Sequence, residues 1–294
     1  VFMENFWGAD DSLPVSQQVM ATTKATIWSF IGIEGSVVLS KRAKKSSDVN
    51  KSTFIGFACI LFIYVASAML SLGVVPHDQL ASMDNPQMAG VLSVAIGPVG
   101  EIIVRVGIIL SIIGASLGWA ILSIECPAAA ADDGVFPRIF GKMNAKGTPF
   151  FTLLLTTCIQ TFFVILGYFS ESAYLLMYNL CVSMIMIPYL LSAAFYLKAG
   201  LQKRYFPEGA KYGHAVVFGI LGTIYGIWMI YSGGINYMLV TTIMYTPGLY
   251  IFYRARKERG ARTFEYKYEK AIAAIVAILG VISLVLLITG KIVL

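Results

Sequence analysis

At 294 residues, with 57% hydrophobic and only 13% charged residues, the chain is too apolar for a soluble globular domain. Its formal net charge of +6 does not make it a nucleic-acid binder, because the basic residues fall in four short connections instead of gathering on one soluble surface. A hydrocarbon core of ~30 Å needs about 20 apolar residues per helix, and eight stretches reach or approach that length, which leaves no room for a separate soluble domain.

Taken in chain order, residues 1–21 form a segment with Glu4, Asp10 and Asp11, followed by candidate spans at 22–40, 52–75, 99–126, 150–168, 173–197, 213–231, 235–253 and 271–291. The first span is interrupted by Gly32, Glu34, Gly35 and Ser36. A carboxylate at mid-membrane depth costs roughly 2.5–3.5 kcal/mol on insertion scales, so it lines a cavity or pairs with something. Glycines beside it weaken the helix where an unwound turn exposes backbone groups. A discontinuous helix with an acidic residue at its break is how secondary transporters build a substrate site. A structural alternative for Glu34 is a polar bond to a neighbouring helix.

Basic residues fix the expected orientation. Lys41, Arg42, Lys44, Lys45 and Lys51 fill the first connection, and Arg138, Lys142 and Lys146 the third. Lys198, Lys203, Arg204 and Lys211 fill the fifth; Arg254, Arg256, Lys257, Arg259, Arg262, Lys267 and Lys270 fill the seventh. The second, fourth and sixth connections carry no Lys or Arg. Positive residues stay inside, so the first, third, fifth and seventh connections are expected on the cytoplasmic side and residues 1–21 outside. The chain opens at Val1 with no visible signal peptide, and an external start followed by a broken helix leads us to expect a preceding N-terminal portion.

Cys59, Cys126, Cys158 and Cys181 all lie in or at the ends of spans, which argues against a disulfide framework. No CxxC occurs and His77 stands far from His214, so neither a metal site nor a cofactor is expected. Asn50-Lys51-Ser52 fits the glycosylation pattern but falls on the expected cytoplasmic side. Glu101 and Arg105, four apart, read as an i,i+4 pair at a helix end. Gly107, Gly114 and Gly118 share one helix face suited to close packing against another helix.

The run Trp28-Ser29-Phe30-Ile31-Gly32-Ile33-Glu34-Gly35-Ser36 resembles helix 6 of the amino acid–polyamine–organocation superfamily, and within it the basic amino acid/polyamine antiporters. Gly118-Trp119-Ala120, Ala131-Asp132-Asp133-Gly134-Val135-Phe136-Pro137, Gly147-Thr148-Pro149 and Ile187-Pro188-Tyr189 follow in the order of that family. Residues 34–46, Glu-Gly-Ser-Val-Val-Leu-Ser-Lys-Arg-Ala-Lys-Lys-Ser, look most like the arginine/ornithine antiporters. The extra apolar segment at 271–291 fits their thirteenth span.

The resemblance implies an all-α membrane protein of the LeuT-like inverted-repeat class. Residues 22–197 would be the second five-helix repeat and 213–291 three additional C-terminal helices. The first repeat of the same protein, with half of the substrate contacts, would be a missing partner, and a lone second repeat should not transport. It implies exchange of cationic amino acids, arginine for ornithine, by alternating access, with a lysine/cadaverine type of exchange as the alternative. Membrane lipid is the surrounding partner, and a homodimer is a compatible assembly.

Trp28, about two helical turns before the break, would stack on the substrate; an interfacial belt position is the competing reading. Ile31 and Gly32 would offer backbone carbonyls and N–H groups. Trp119 would line the cavity, against a role in core packing. Cys181 and Tyr189 are further substrate candidates, for which structural roles compete evenly. The resemblance makes Glu34 the coupling residue. Asp132 and Asp133 read as structural or gating residues. A membrane-embedded enzyme would need a nucleophile–base pair or metal ligands within the spans, and neither is visible; a non-transporting or channel-like membrane subunit is the second alternative, of which a channel would more naturally show a filter or rings of charge.

Overall fold

The computed structural model describes residues 2–7, 14–40, 43–169, 171–203, 205–206 and 212–291. Val1, Asp10, Asp11, Lys41, Arg42, Arg204 and Lys211, invoked above for topology, lie outside the described residues. Regular structure among the described residues is helical: α1 (Phe2–Trp7), α2 (Val15–Phe30), α3 (Gly35–Val38), α4 (Ser46–Val74), α5 (His77–Ser82), α6 (Gln87–Ile96), α7 (Pro98–Asp132), α8 (Phe150–Phe169), α9 (Glu171–Gln202), α10 (Gly213–Gly233), α11 (Ile235–Glu258) and α12 (Lys267–Ile288). Six of these, α4, α7, α8, α9, α10 and α12, are long and apolar enough to cross a membrane. The 22–40 stretch divides between α2 and α3. Threonines, tyrosines and Asn236 dilute the apolar character of α11, and its 24 residues end in charge.

The chain forms two compact units, one of residues 1–14 and 32–126, the other of residues 15–31 and 127–294. In the first, α1 is tied to the end of α4 by one side chain. Asn5 donates to the carbonyls of Leu72 and Val75, both at 2.7 Å, and accepts the His77 N–H at 2.9 Å. Short helices α5 and α6 occupy the second connection. Glu101 and Arg105 form the expected i,i+4 pair at 2.7 Å.

The glycine face of α7 does not behave as expected. A Cβ at Gly107, Gly114 or Gly118 would meet nothing within 4 Å among the described residues. The physical reason is that the most apolar stretch of α7 is left unburied by the described residues, none of whose backbone closes on those glycines. α7 also runs six residues past its expected end at 126, continuing through Pro127 to Asp132. Asp132 is therefore the last residue of that helix. A proline within a helix removes one backbone donor, yet the turn after it is closed by a C-terminal motif: the Val135 and Phe136 N–H groups reach the Ala130 carbonyl at 2.9 and 3.0 Å, and Gly134 takes φ +82°.

In the second unit α9 and α10 pack most intimately. A Cβ at Gly219 would come within 2.6 Å of Leu197 Cα, and one at Gly226 within 2.8 Å of Leu190 Cδ1. These glycines are seven apart and so share a face. Small residues there let two helices touch backbone to side chain, the way dispersion replaces hydrophobic drive in lipid. α11 and α12 meet similarly at Gly280, whose Cβ would collide with Thr246, and at the buried contact of Thr242 with Ser283. The Arg259 guanidinium donates to the Ala131 carbonyl at the C-terminal end of α7's last turn, and the Glu258 carboxylate accepts the Arg138 N–H at 3.0 Å. A cation at a helix C-terminus is also favoured by the helix dipole.

Candidate functional site

The backbone at residues 31–34 leaves the helical pattern. The Ile31 N–H is shared between the Ile27 and Trp28 carbonyls at 3.1 and 3.3 Å, and the Gly35 N–H goes to Gly32 at 2.9 Å. Ile31's carbonyl thereby gives up its i+4 donor. Gly32 adopts φ +103°, a conformation L-residues rarely take, so a glycine is required at that point. Glu34 sits where α3 begins, and its Oε2 accepts the Gly32 N–H at 3.0 Å. The carboxylate thus satisfies a backbone donor that the break has released.

This arrangement refines the expectation for Gly32. Its N–H is occupied by Glu34, so an incoming carboxylate would have to displace that side chain. The break also falls closer to Trp28 than expected. α2 ends at Phe30, which places Trp28 in its last turn and not two turns away. The polar run Ser-Gln-Gln-Val-Met-Ala-Thr-Thr hid the true start of α2 at Val15, seven residues before the expected boundary.

Two groups of candidate residues follow the two units. In the first, Trp119 of α7 packs its six-membered ring on Gly32, where a Cβ would be 3.2 Å from Cζ2. Gly35 faces Leu122 of the same helix at 3.4 Å. Trp119 remains 46% exposed, so much of its ring surface is uncovered in this chain.

In the second unit α2 lies on α9 and α10. Ile27, Val182, Met186 and Met229 form a buried cluster, with Ile31, Tyr178 and Tyr189 packed against it. Trp28 meets Tyr178 with ring centroids 5.0 Å apart at 58° and keeps 42% exposure. Tyr189 is half-buried against the cluster. Cys181 is exposed and stands outside it. Pro188, one residue earlier than Tyr189, has no N–H to give the Met184 carbonyl. The Tyr245 hydroxyl supplies that bond from α11 at 2.6 Å. The acceptor that Pro188 leaves unserved is thus satisfied from the neighbouring helix.

Sequence reasoning passed over Tyr178, Tyr245 and Lys24. A signal for Tyr178 was present: Tyr178, Val182, Ile185 and Tyr189 recur at spacings of four, three and four, the pattern of one helix face. Lys24 lies one turn before Trp28, donating to Asn179 Oδ1 at 3.4 Å and standing 4.4 Å from the Tyr237 ring centroid. Among the described residues no group of three or more His, Cys, Asp or Glu side chains is placed to hold a metal ion.

The sequence profile described as amino acid permease matches residues 2–253. A Clostridium perfringens protein provisionally named an amino-acid transporter is 38% identical over 97% of this chain and 62% of its own length. An arginine/agmatine antiporter of Chlamydia pneumoniae is 36% identical over 99% of this chain and 62% of its own length. An Escherichia coli protein provisionally named an arginine/ornithine antiporter is 39% identical over 87% of this chain and 54% of its own length. The chain therefore spans less than two thirds of the length of these relatives.

Proposed function

The chain belongs to the amino acid permease family, and from that premise we propose that it is part of a secondary antiporter that exchanges arginine for ornithine by alternating access. The family is one of carriers, not of enzymes, and the six long apolar helices fit a multi-pass membrane protein. The observation that carries the reading is the break at Ile31–Glu34, with Gly32 at φ +103° and its N–H held by the Glu34 carboxylate. An unwound turn in an apolar helix persists only where it faces a cavity or is buried in protein.

In this reading Trp28 and Trp119 offer ring faces to a cationic substrate, and Ile31 and Gly32 offer backbone groups. Cys181 and Tyr189 contribute from α9. Glu34 couples binding to movement: when a substrate carboxylate competes with it for the Gly32 N–H, its hold on Gly32 is released and the two half-helices are free to reorient. The odd-numbered connections face the cytoplasm. The family's first repeat, in the part of the relatives' length that this chain does not cover, supplies the rest of the site, and this chain corresponds to the second repeat with α10–α12 added.

Relatives named for agmatine exchange match at 36% and one named for ornithine exchange at 39%, so identity does not choose the pair. The phrase at residues 34–46 favours ornithine. Counterflow of the full-length protein in liposomes tests the reading. Labelled arginine should enter only when ornithine is trapped inside. Entry into empty vesicles would point to a uniporter or channel instead.

A further inference from the structure

Lys24 is the sole charged residue of α2, and nothing in the reading above uses it. Lys24 stands at the third position of the expected span at 22–40, and a lysine drawn into an apolar span needs a partner for its charge. Among the described residues, Lys24 has the Asn179 oxygen at 3.4 Å and the Tyr237 ring at 4.4 Å, and neither bears negative charge. The Asn179 amide nitrogen is committed to the Leu175 carbonyl at 2.8 Å, which turns its oxygen toward Lys24. An ammonium has three donors. One meets Asn179, the charge lies over the face of Tyr237, and donor capacity is left for a further acceptor.

The position is specific. Lys24 and Trp28 are four residues apart on α2, so they share a face with Cβ atoms about 5–6 Å apart. They touch consecutive residues of α9, Asn179 and Tyr178. With the N-terminal end of α2 outward, Lys24 sits one turn closer to the outside than the ring that would stack on the substrate.

We propose that Lys24, steadied by Asn179 and Tyr237, is a carboxylate-reading site at the outer mouth of the substrate path. It attracts the carboxylate of a cationic amino acid, which carries one net positive charge, and repels the amine left by decarboxylation, which carries two positive charges and has no carboxylate. The site thereby selects the amino acid over its decarboxylated amine on the outer side. This inference rests on the antiporter reading and deepens it by naming the class of ligand taken up.

The test uses the full-length protein in liposomes loaded with arginine, with external ornithine and agmatine competing for labelled arginine uptake. Lys24→Gln removes the charge and keeps most of the stem; Lys24→Arg keeps the charge. For one unit charge at the separation of neighbouring subsites, the agmatine-to-ornithine competition ratio should shift toward agmatine by roughly three- to thirtyfold in Lys24→Gln. Lys24→Arg should stay near wild type. An equal change for both competitors, or the same shift in Lys24→Arg, would overturn the inference while leaving the antiporter intact. Should Lys24→Gln not yield a monodisperse protein, the wild-type ratio at low and high salt decides. A partly solvated charge is screened by salt, so discrimination should shrink, and a salt-independent ratio would overturn the proposal. Absence of any arginine exchange by wild type would instead remove the antiporter reading itself.

Discussion

The indole of Trp119 occupies the space that a side chain at position 32 would need: a Cβ there would lie 3.2 Å from Cζ2 and 3.3 Å from Cη2. Two constraints therefore converge on Gly32, one from its backbone conformation and one from its neighbour. Gly32→Ala should lose about 1–3 kcal/mol from the strained φ alone, with a further steric contribution. Thermal unfolding of the full-length protein measures the sum. In a double-mutant cycle, Trp119→Leu should recover the steric part and leave the backbone part. Simple additivity of the two substitutions would mean that the ring does not press on Gly32.

Trp28 keeps 42% of its surface exposed while it packs on Tyr178. Replacing it by alanine should weaken arginine binding by roughly 0.5–2 kcal/mol, the range of a cation over an aromatic face. Calorimetric titration reads this as a two- to thirtyfold rise in Kd. An unchanged Kd would take Trp28 out of the site and leave it a packing partner of Tyr178.

Glu34→Gln conserves an acceptor oxygen for the Gly32 N–H while removing charge. The break should survive, so stability should change by less than about 1 kcal/mol. Exchange should slow, because the charge at the break is gone. Wild-type exchange rates would reduce Glu34 to a cap on a helix start.

Tyr245→Phe strands the Met184 carbonyl that Pro188 cannot serve. A buried acceptor without a partner costs about 1–3 kcal/mol, and the midpoint of thermal unfolding should fall accordingly. Adding Pro188→Ala restores an N–H at the helical position, so Tyr245→Phe should then be nearly neutral. If the loss is the same in both backgrounds, the hydroxyl contributes through something other than Met184.

How far the sequence revealed this arrangement depended on the kind of interaction. The break was legible because Gly32, Glu34 and Gly35 stand out against an apolar run. The long helices were legible for the same reason, since length and hydropathy are local properties. The start of α2 was not, because polar residues preceding a span read as loop, although helix formation does not require apolarity. α6, with ten residues, is too short to register as a span. Tyr245 was invisible because its value lies in a proline fifty-seven residues earlier, and a hydroxyl in an apolar helix says nothing of its acceptor. The glycines at 219 and 226 acquire meaning only once α9 is known to lie against them. Conversely, Gly107, Gly114 and Gly118 looked like a packing face by spacing, and a Cβ at any of them would meet nothing within 4 Å among the described residues. Spacing identifies a face, whereas its occupant depends on the rest of the molecule.

Asn5 is held by three bonds at once, giving two protons to the Leu72 and Val75 carbonyls and receiving one from His77. Aspartate would set a negative oxygen against two carbonyl oxygens, serine would fall short, and glutamine would overshoot by a methylene. Mutational drift at that position is thus confined almost to a single letter of the amino-acid alphabet.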